Sequence, residues 1–587
     1  MRPSKPMSRQ VIPILLCILA TLLTACGGQT STPPPSNAGS DKASDDKQVF
    51  VRPITGRADL KTFDPALAGD LNSINAINMV FSGLVTLNDK LEVQKQLAQS
   101  YEVSQDGLNW TFRLKPGLKF SDGQPLTSKD VAYSIDRALD PKVQSAVSTT
   151  YLGLLKDADK RNTGKVSSLI NDSIITPDDQ TIILKTSQKA AYFLEALTYN
   201  TSFVVERKLI DKYGANFTDH LNEGGTSGPW KVDKFEHGKQ IVLVPNPYYS
   251  GNKPKLKKVV IPFFKNSQTA YQEYQNGQLH STGVPSSMLT AARGLPDNQF
   301  HQTPILAIDF IAMNYLTKPF DNLKIRQAFA LALNKDALAH NVNKDTTIAT
   351  NHIVPKGMPG YNQNLTGPQN VKETKGDATM AKKLLDEGMK EAGYTAANFP
   401  TVTFTVATEG SADAANAFSA MQQMWKNALG INVKIRDTEF GTLLDEANAA
   451  ANNPKGIQMW YADWYADYPD PQDWLTLLFG SNASKNGMNY GQNKQPYNSA
   501  QQANQALMLK ADANTNDTER MQQYNQIEQA LVNDVAWIPT AQETSTSVRK
   551  TCIVGMVDNA QGLTPPDDWG SIYISTNANC ADASKYK

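Results

Sequence analysis

LAQSYEVSQDGLNWTFRLKPGLKFSDGQPLTSKDVAYSIDRALDP, residues 97–141, holds strand, turn and helix signals in close succession. Trp110, Phe112 and Leu114 alternate with polar neighbours, the period of a strand with one buried face. Lys115-Pro116-Gly117 offers a turn, and Leu118 and Phe120 resume the apolar pattern before Asp122-Gly123, so the spacing predicts a hairpin over 110–127. Thr127 or Ser128 can then cap a helix in which Val131, Ile135 and Leu139 recur four residues apart.

The same grammar runs outward in both directions. QVFVRPI, from residue 48, alternates like a strand. Downstream, NFPTVTFTVATEG (398–410), AFSAMQQMWKNAL (417–429) and GINVKIRDTEF (430–440) read as strand, amphipathic helix and strand, a succession that predicts parallel pairing through a crossover helix. Helices are also expected at NLKIRQAFALAL (322–333, capped by Asp321), MAKKLLDEGMKEAG (380–393) and 520–535. The class is mixed α/β, without a solenoid repeat.

The N-terminus reads as an address. Arg2, Lys5 and Arg9 precede VIPILLCILATLL, an apolar run too short to span a bilayer and of the length of a signal-peptide core. LTAC (23–26) then resembles a bacterial lipobox, which makes Cys26 the expected lipid attachment site after loss of residues 1–25; an unlipidated secretory signal is the alternative. Residues 26–47, rich in Gly, Ser, Thr, Pro and Asp, cannot bury enough surface to fold and read as a disordered tether with a reach of about 25 Å. Cys17 would leave with the signal and Cys26 take lipid, so Cys552 and Cys580 remain as a pair for a disulfide outside the cytoplasm, or as two buried thiols.

Charge and motifs exclude several functions. The chain has 57 basic and 57 acidic side chains, so no strong field draws it to nucleic acid. It contains no GxSxG, GK[ST], HExxH or CxxC, and its six histidines (220, 237, 280, 301, 340 and 352) never fall three or four apart. Neither an enzyme nor a metal or other cofactor is expected.

Residues 97–141 closely resemble the signature segment of the extracellular solute-binding proteins of family 5, the peptide- and nickel-binding receptors of ABC importers. LKTFDPA (60–66), VFSGLVTLND (80–89), GTSGPWKVDKF (225–235), VPNPYYSGNKPKLKKVVI (244–261), AMNYLTKPFDNLKIRQAFALALNKDAL (312–338) and YNQIEQALVNDVAWIPT (524–540) follow that family's order. The resemblance implies a periplasmic-binding type II fold, two α/β lobes with a hinge plus an extra α/β domain. Carried onto this chain, lobe I comprises 48–80, 224–306 and 520–587, the extra domain 81–223 and lobe II 307–519, with hinge connections near 306 and 520. It further implies a lipid-anchored receptor at the bacterial surface or in the periplasm, monomeric, that passes peptides to a membrane permease with cytoplasmic ATPases.

DWYADYPDPQDW (463–474) is where the resemblance places the ligand. The segment 463–465 is expected to lie extended along a peptide, and Asp467 corresponds to the aspartate that accepts the ligand's α-ammonium; a charge-assisted bond of that kind is about twice as strong as a neutral one. Trp464, Tyr465 and Tyr468 are expected to wall side-chain pockets, and Asp463 to touch ligand or solvent. Tyr151, and the AGDL stretch 68–71, lie near family ligand contacts. No arginine occurs between Arg326 and Arg436, and Tyr461 stands where some oligopeptide binders keep a basic residue, which disfavours a carboxylate clamp there and favours longer ligands; Lys356 is a weaker substitute. Oligosaccharides or nickel chelates on the same fold are the alternative cargo, and a glycosidase-type carboxylate pair is a distant one.

Overall fold

The computed structural model describes residues 41–481, 483 and 485–586. The expected signal segment, Cys26 and the tether up to residue 40 lie outside the described residues. Residues 42–47, assigned above to the tether, are folded: Lys42 bridges to Ser575, Ala43 is buried, and a short 3-10 turn runs Asp45–Lys47. Among the described residues no helix is long and apolar enough to cross a membrane.

The first lobe is built on a sheet in which the strand Val49–Val51 runs parallel to Lys258–Phe264, followed by the antiparallel strands Gln240–Pro245 and Trp230–Glu236. Phe50, Trp230, Leu243 and Trp569 fill its core. The GTSGPW block closes this lobe against the helix Leu71–Val80: Gly228 N–H donates to Val80 O at 2.8 Å, and a Cβ on Gly228 would stand 2.7 Å from the Val80 carbonyl carbon. That approach requires glycine. Cys552 and Cys580 are joined, with Cα atoms 5.3 Å apart, and tie the C-terminal segment to this core. Replacing both by alanine removes about 3.5 kcal/mol in the chain-entropy picture. The urea midpoint of the mature protein, and protease cleavage beyond residue 552, measure that loss; unchanged values would show that the link constrains nothing.

The extra domain is a four-stranded antiparallel sheet, in the order Ala98–Val103, Asn109–Leu114, Thr181–Lys185, Ile174–Asp178. The helix Ser128–Ala138 lies over it, with Thr127 and Asp130 forming a capping box and Val131, Ile135 and Leu139 fully buried. The expected hairpin of 110–114 with 118–120 is corrected. Trp110–Leu114 pairs with the strands on either side of it, whereas Phe120 and Ser121 direct their N–H groups to Gln124 and Thr226 carbonyls in a turn of their own. Arg137 joins the domain to the TFDPA block through a paired contact with Asp64, 3.0 Å on its longer arm.

The second lobe contains the predicted strand, helix and strand as Thr403–Val406, Ala412–Leu429 and Lys434–Asp437, the two strands parallel. Phe418, Met421, Trp425 and Leu429, spaced three and four apart, face its core. The helix near 322 starts at Leu323 with Asn322 as its cap rather than Asp321, the amide oxygen accepting from Ile325 N–H at 3.1 Å.

Two long antiparallel strands, Phe300–Met313 and Trp537–Arg549, run from one lobe into the other. Their outer ends, Phe300 and Val548, pack with Val49 and Val260, and their inner ends, Ala312 and Trp537, with the second lobe. Register breaks fall between Pro304 and Ile308 and between Asp309 and Phe310, where the ladder is weakest. The second crossing therefore lies inside the strand 537–549 rather than near 520: the helix Asp517–Asp534, expected to begin lobe I again, buries Tyr524, Ile527 and Leu531 against Trp474, Leu475 and Met508 of lobe II. An amphipathic helix joins whichever lobe its apolar face meets, and sequence position does not disclose that.

Candidate functional site

The strand Met459–Tyr465 pairs antiparallel with Ala307–Met313 along its whole length. On its other edge, parallel pairing with 404–405 stops at Trp460. Residues 461–465 thus have one edge with no strand partner among the described residues. Trp460, Ala462 and Trp464 point to the face that holds Trp474 and Trp537, and Tyr461, Asp463 and Tyr465 to the opposite face, where Tyr461 packs edge-on against Phe418, as the period of two requires.

The loop that follows is tightly held. Asp470 is the cap of the turn Pro471–Asp473, and its carboxylate receives Arg520 at 2.6 Å with both side chains almost wholly buried. Asp473 is fully buried; one of its oxygens accepts from Asp467 N–H at 3.0 Å and from the Trp464 indole at 3.4 Å, and burial, with Asp467 next, pushes its carboxyl well up. Trp464, expected to wall a pocket, is turned inward to this bond, and Asp473, buried and outside the cavity lining, positions the Asp467 backbone.

Asp467 itself faces a cavity of ≈ 690 Å³, lined also by Tyr465, Tyr468 and Tyr199 together with residues of both lobes. Burial pushes the Asp467 carboxyl up to about 6, against the lowering effect of the Tyr151 hydroxyl and then of Lys485. Tyr151 stacks on Tyr199 with ring centroids 3.6 Å apart and meets Tyr468 edge-on at 6.3 Å. Tyr468 thereby joins the extra domain's core although it belongs to the lobe II loop. Tyr151 does not line the cavity; it supports Asp467 from behind. Of the AGDL stretch, Gly69 and Leu71 line the cavity while Asp70 caps the helix Leu71–Val80.

Asp463 lies elsewhere than expected. It is opposite Asp309 on the first hinge strand, in a group of carboxylates completed by Glu543 on the second. Burial raises all three, and like charges raise Asp309 further. Glu543 is pushed up to about 7, accepts the Tyr465 hydroxyl at 2.6 Å and lines the cavity, whereas Asp463 does not. Tyr461 sits beside Asp309, away from the cavity lining, and Lys356 directs its N–H to Gln542. Glu543, Arg52 and Arg549 are cavity residues that sequence reading missed, since none sits in a motif and they meet only through folding.

A family model described as bacterial extracellular solute-binding proteins, family 5 Middle, matches residues 92–486. The oligopeptide-binding protein OppA of Bacillus subtilis is 28% identical over 94% of this chain and 97% of its own. The dipeptide-binding protein DppE of the same organism is 25% identical over 93% and 95%. Among solved structures, the Escherichia coli murein tripeptide binding protein MppA superposes with a TM-score of 0.70 at 24% identity, covering 90% of this chain and 99% of that one. With the family match spanning well over half of the sequence and a fold of two lobes around a lined cavity, the chain belongs to the bacterial extracellular solute-binding proteins of family 5.

Proposed function

We propose that this protein is the lipid-anchored, monomeric substrate-binding component of an ABC importer, held at the bacterial surface or in the periplasm by Cys26. It captures peptides between its lobes and delivers them to a membrane permease. The observation that carries this reading is the placement of Asp467 on the cavity wall, directly after a strand with an unpartnered edge. Such an edge suits backbone pairing with an extended chain of any sequence, and the carboxylate suits its terminal ammonium. The names of the relatives OppA and DppE, oligopeptide- and dipeptide-binding, agree with that chemistry. The cavity lies within the size range of specific small-ligand sites.

Thermal-shift measurement of the mature protein against peptide pools, chitooligosaccharides and nickel–histidine tests the assignment. A peptide at a hundred times its dissociation constant adds about 2.7 kcal/mol to the native state and raises the melting temperature. Stabilisation by the sugar or the nickel chelate, with none by peptides, would sink the peptide reading while leaving the fold untouched.

A further inference from the structure

Arg52 follows the strand Val49–Val51 and extends it by donating its N–H to Val260 O at 3.1 Å. Pro53 comes next, and the residue before a proline is confined to extended backbone, so the side chain leaves the strand from a fixed position. Arg52 lines the interlobe cavity.

Among the described arginines that are not exposed, Arg52 is set apart by the lack of a partner. Arg137 is held by Asp64, Arg161 by Asp136 and Arg520 by Asp470, while Arg326 donates to the carbonyls of Phe320 and Asp534. Arg52 makes no side-chain hydrogen bond or ion pair among the described residues; burial weakens its hold on its proton, Arg549 adds to that, and Asp558 opposes it. Asp558 is already committed: its two oxygens receive Arg549 at 2.8 and 2.9 Å, and His301 stands 3.0 Å from one of them. The cavity acids Asp467 and Glu543 are engaged with the hydroxyls of Tyr151 and Tyr465. A half-buried guanidinium without a bound counter-ion gains from an anion that enters the cavity beside it. Its planar fork matches a carboxylate in two parallel bonds.

We propose that Arg52 receives a carboxylate of the bound ligand, either its C-terminus or an acidic side chain, and is the anion subsite of the cavity. This deepens the peptide reading and rests on it. Arg52 stands on lobe I and Asp467 on the loop of lobe II, so a ligand holding both bridges the lobes and favours their closed arrangement. The clamp that residues 326–436 do not provide is then supplied by the N-terminal strand of the other lobe.

The test is isothermal titration of the mature protein with pooled tetrapeptides of Ala, Leu and Tyr. Three forms are compared: free acids, C-terminal amides, and amides carrying one Glu. Arg52→Gln is expected to weaken the free acids about 30-fold or more and to leave the plain amides where the wild type binds them. Dependence of the Glu-bearing amides on Arg52 marks a side-chain carboxylate as an acceptable source; its absence marks the C-terminus. Should Arg52→Gln not fold, Arg52→Lys, which keeps the charge and loses the fork, is expected to show a smaller loss confined to the carboxylate forms. Equal weakening of acids and amides, or none, overturns the proposal. If N-acetylation still weakens capture by the wild type in that case, the peptide reading survives; if the wild type binds no form, both fall.

Discussion

Asp467→Asn is expected to weaken capture of free-amine peptides about 30-fold or more, and to leave N-acetylated peptides bound as before. The asparagine keeps shape and hydrogen-bonding capacity, so the loss isolates charge. Burial pushes the Asp467 carboxyl up to about 6. An ammonium ligand binds the ionised form, so affinity is full above that value and falls about tenfold per unit below it. Capture weakens again above about pH 8 as the ligand's own amine loses its proton. The wild type thus shows a window between about 6 and 8, and the variant loses its acid limb. Titration calorimetry across pH checks both; an acid limb persisting in Asp467→Asn would assign it to another group and remove the proposed role.

Arg520→Met is expected to destabilise the protein by about 3–5 kcal/mol, because it strands Asp470 in a site where both partners are almost fully buried. Asp470 also accepts from Gln472 N–H at 2.9 Å, so its carboxylate group organises the turn behind Asp467. The variant should lose peptide affinity along with stability, since Asp467 is held through Asp473 at the end of that turn. Adding Asp470→Asn removes the stranded charge and should recover part of the stability. Urea denaturation of the single and double variants decides it: a neutral single variant, or a double variant no better, would show that the pair is not what holds the loop.

Both effects concern residues within the twelve positions of DWYADYPDPQDW or on the helix behind it, yet the two were unequally visible. Asp467 stands in a motif. Arg520 sits at the start of a long helix whose apolar stripe reveals burial but not the partner, and that helix proved to belong to lobe II. Asp463 shows the same limit. Alternation separates it from Trp464, but no local rule says which face of the strand opens on the cavity, and here its own side meets Asp309 and Glu543.

Short-range physics made the capping box at Thr127, the strand and helix succession from 403 to 437 and the order of the family blocks readable from the residues, because each depends on neighbours a few positions apart. The cavity is of another kind. Arg52, Asp467 and Glu543 face one space although hundreds of residues separate the first from the others, and Asp558, the acid whose charge Arg52 feels, is bound to Arg549. Which charges pair and which stay unanswered is settled by competition in three dimensions, and a linear chain carries no record of who wins.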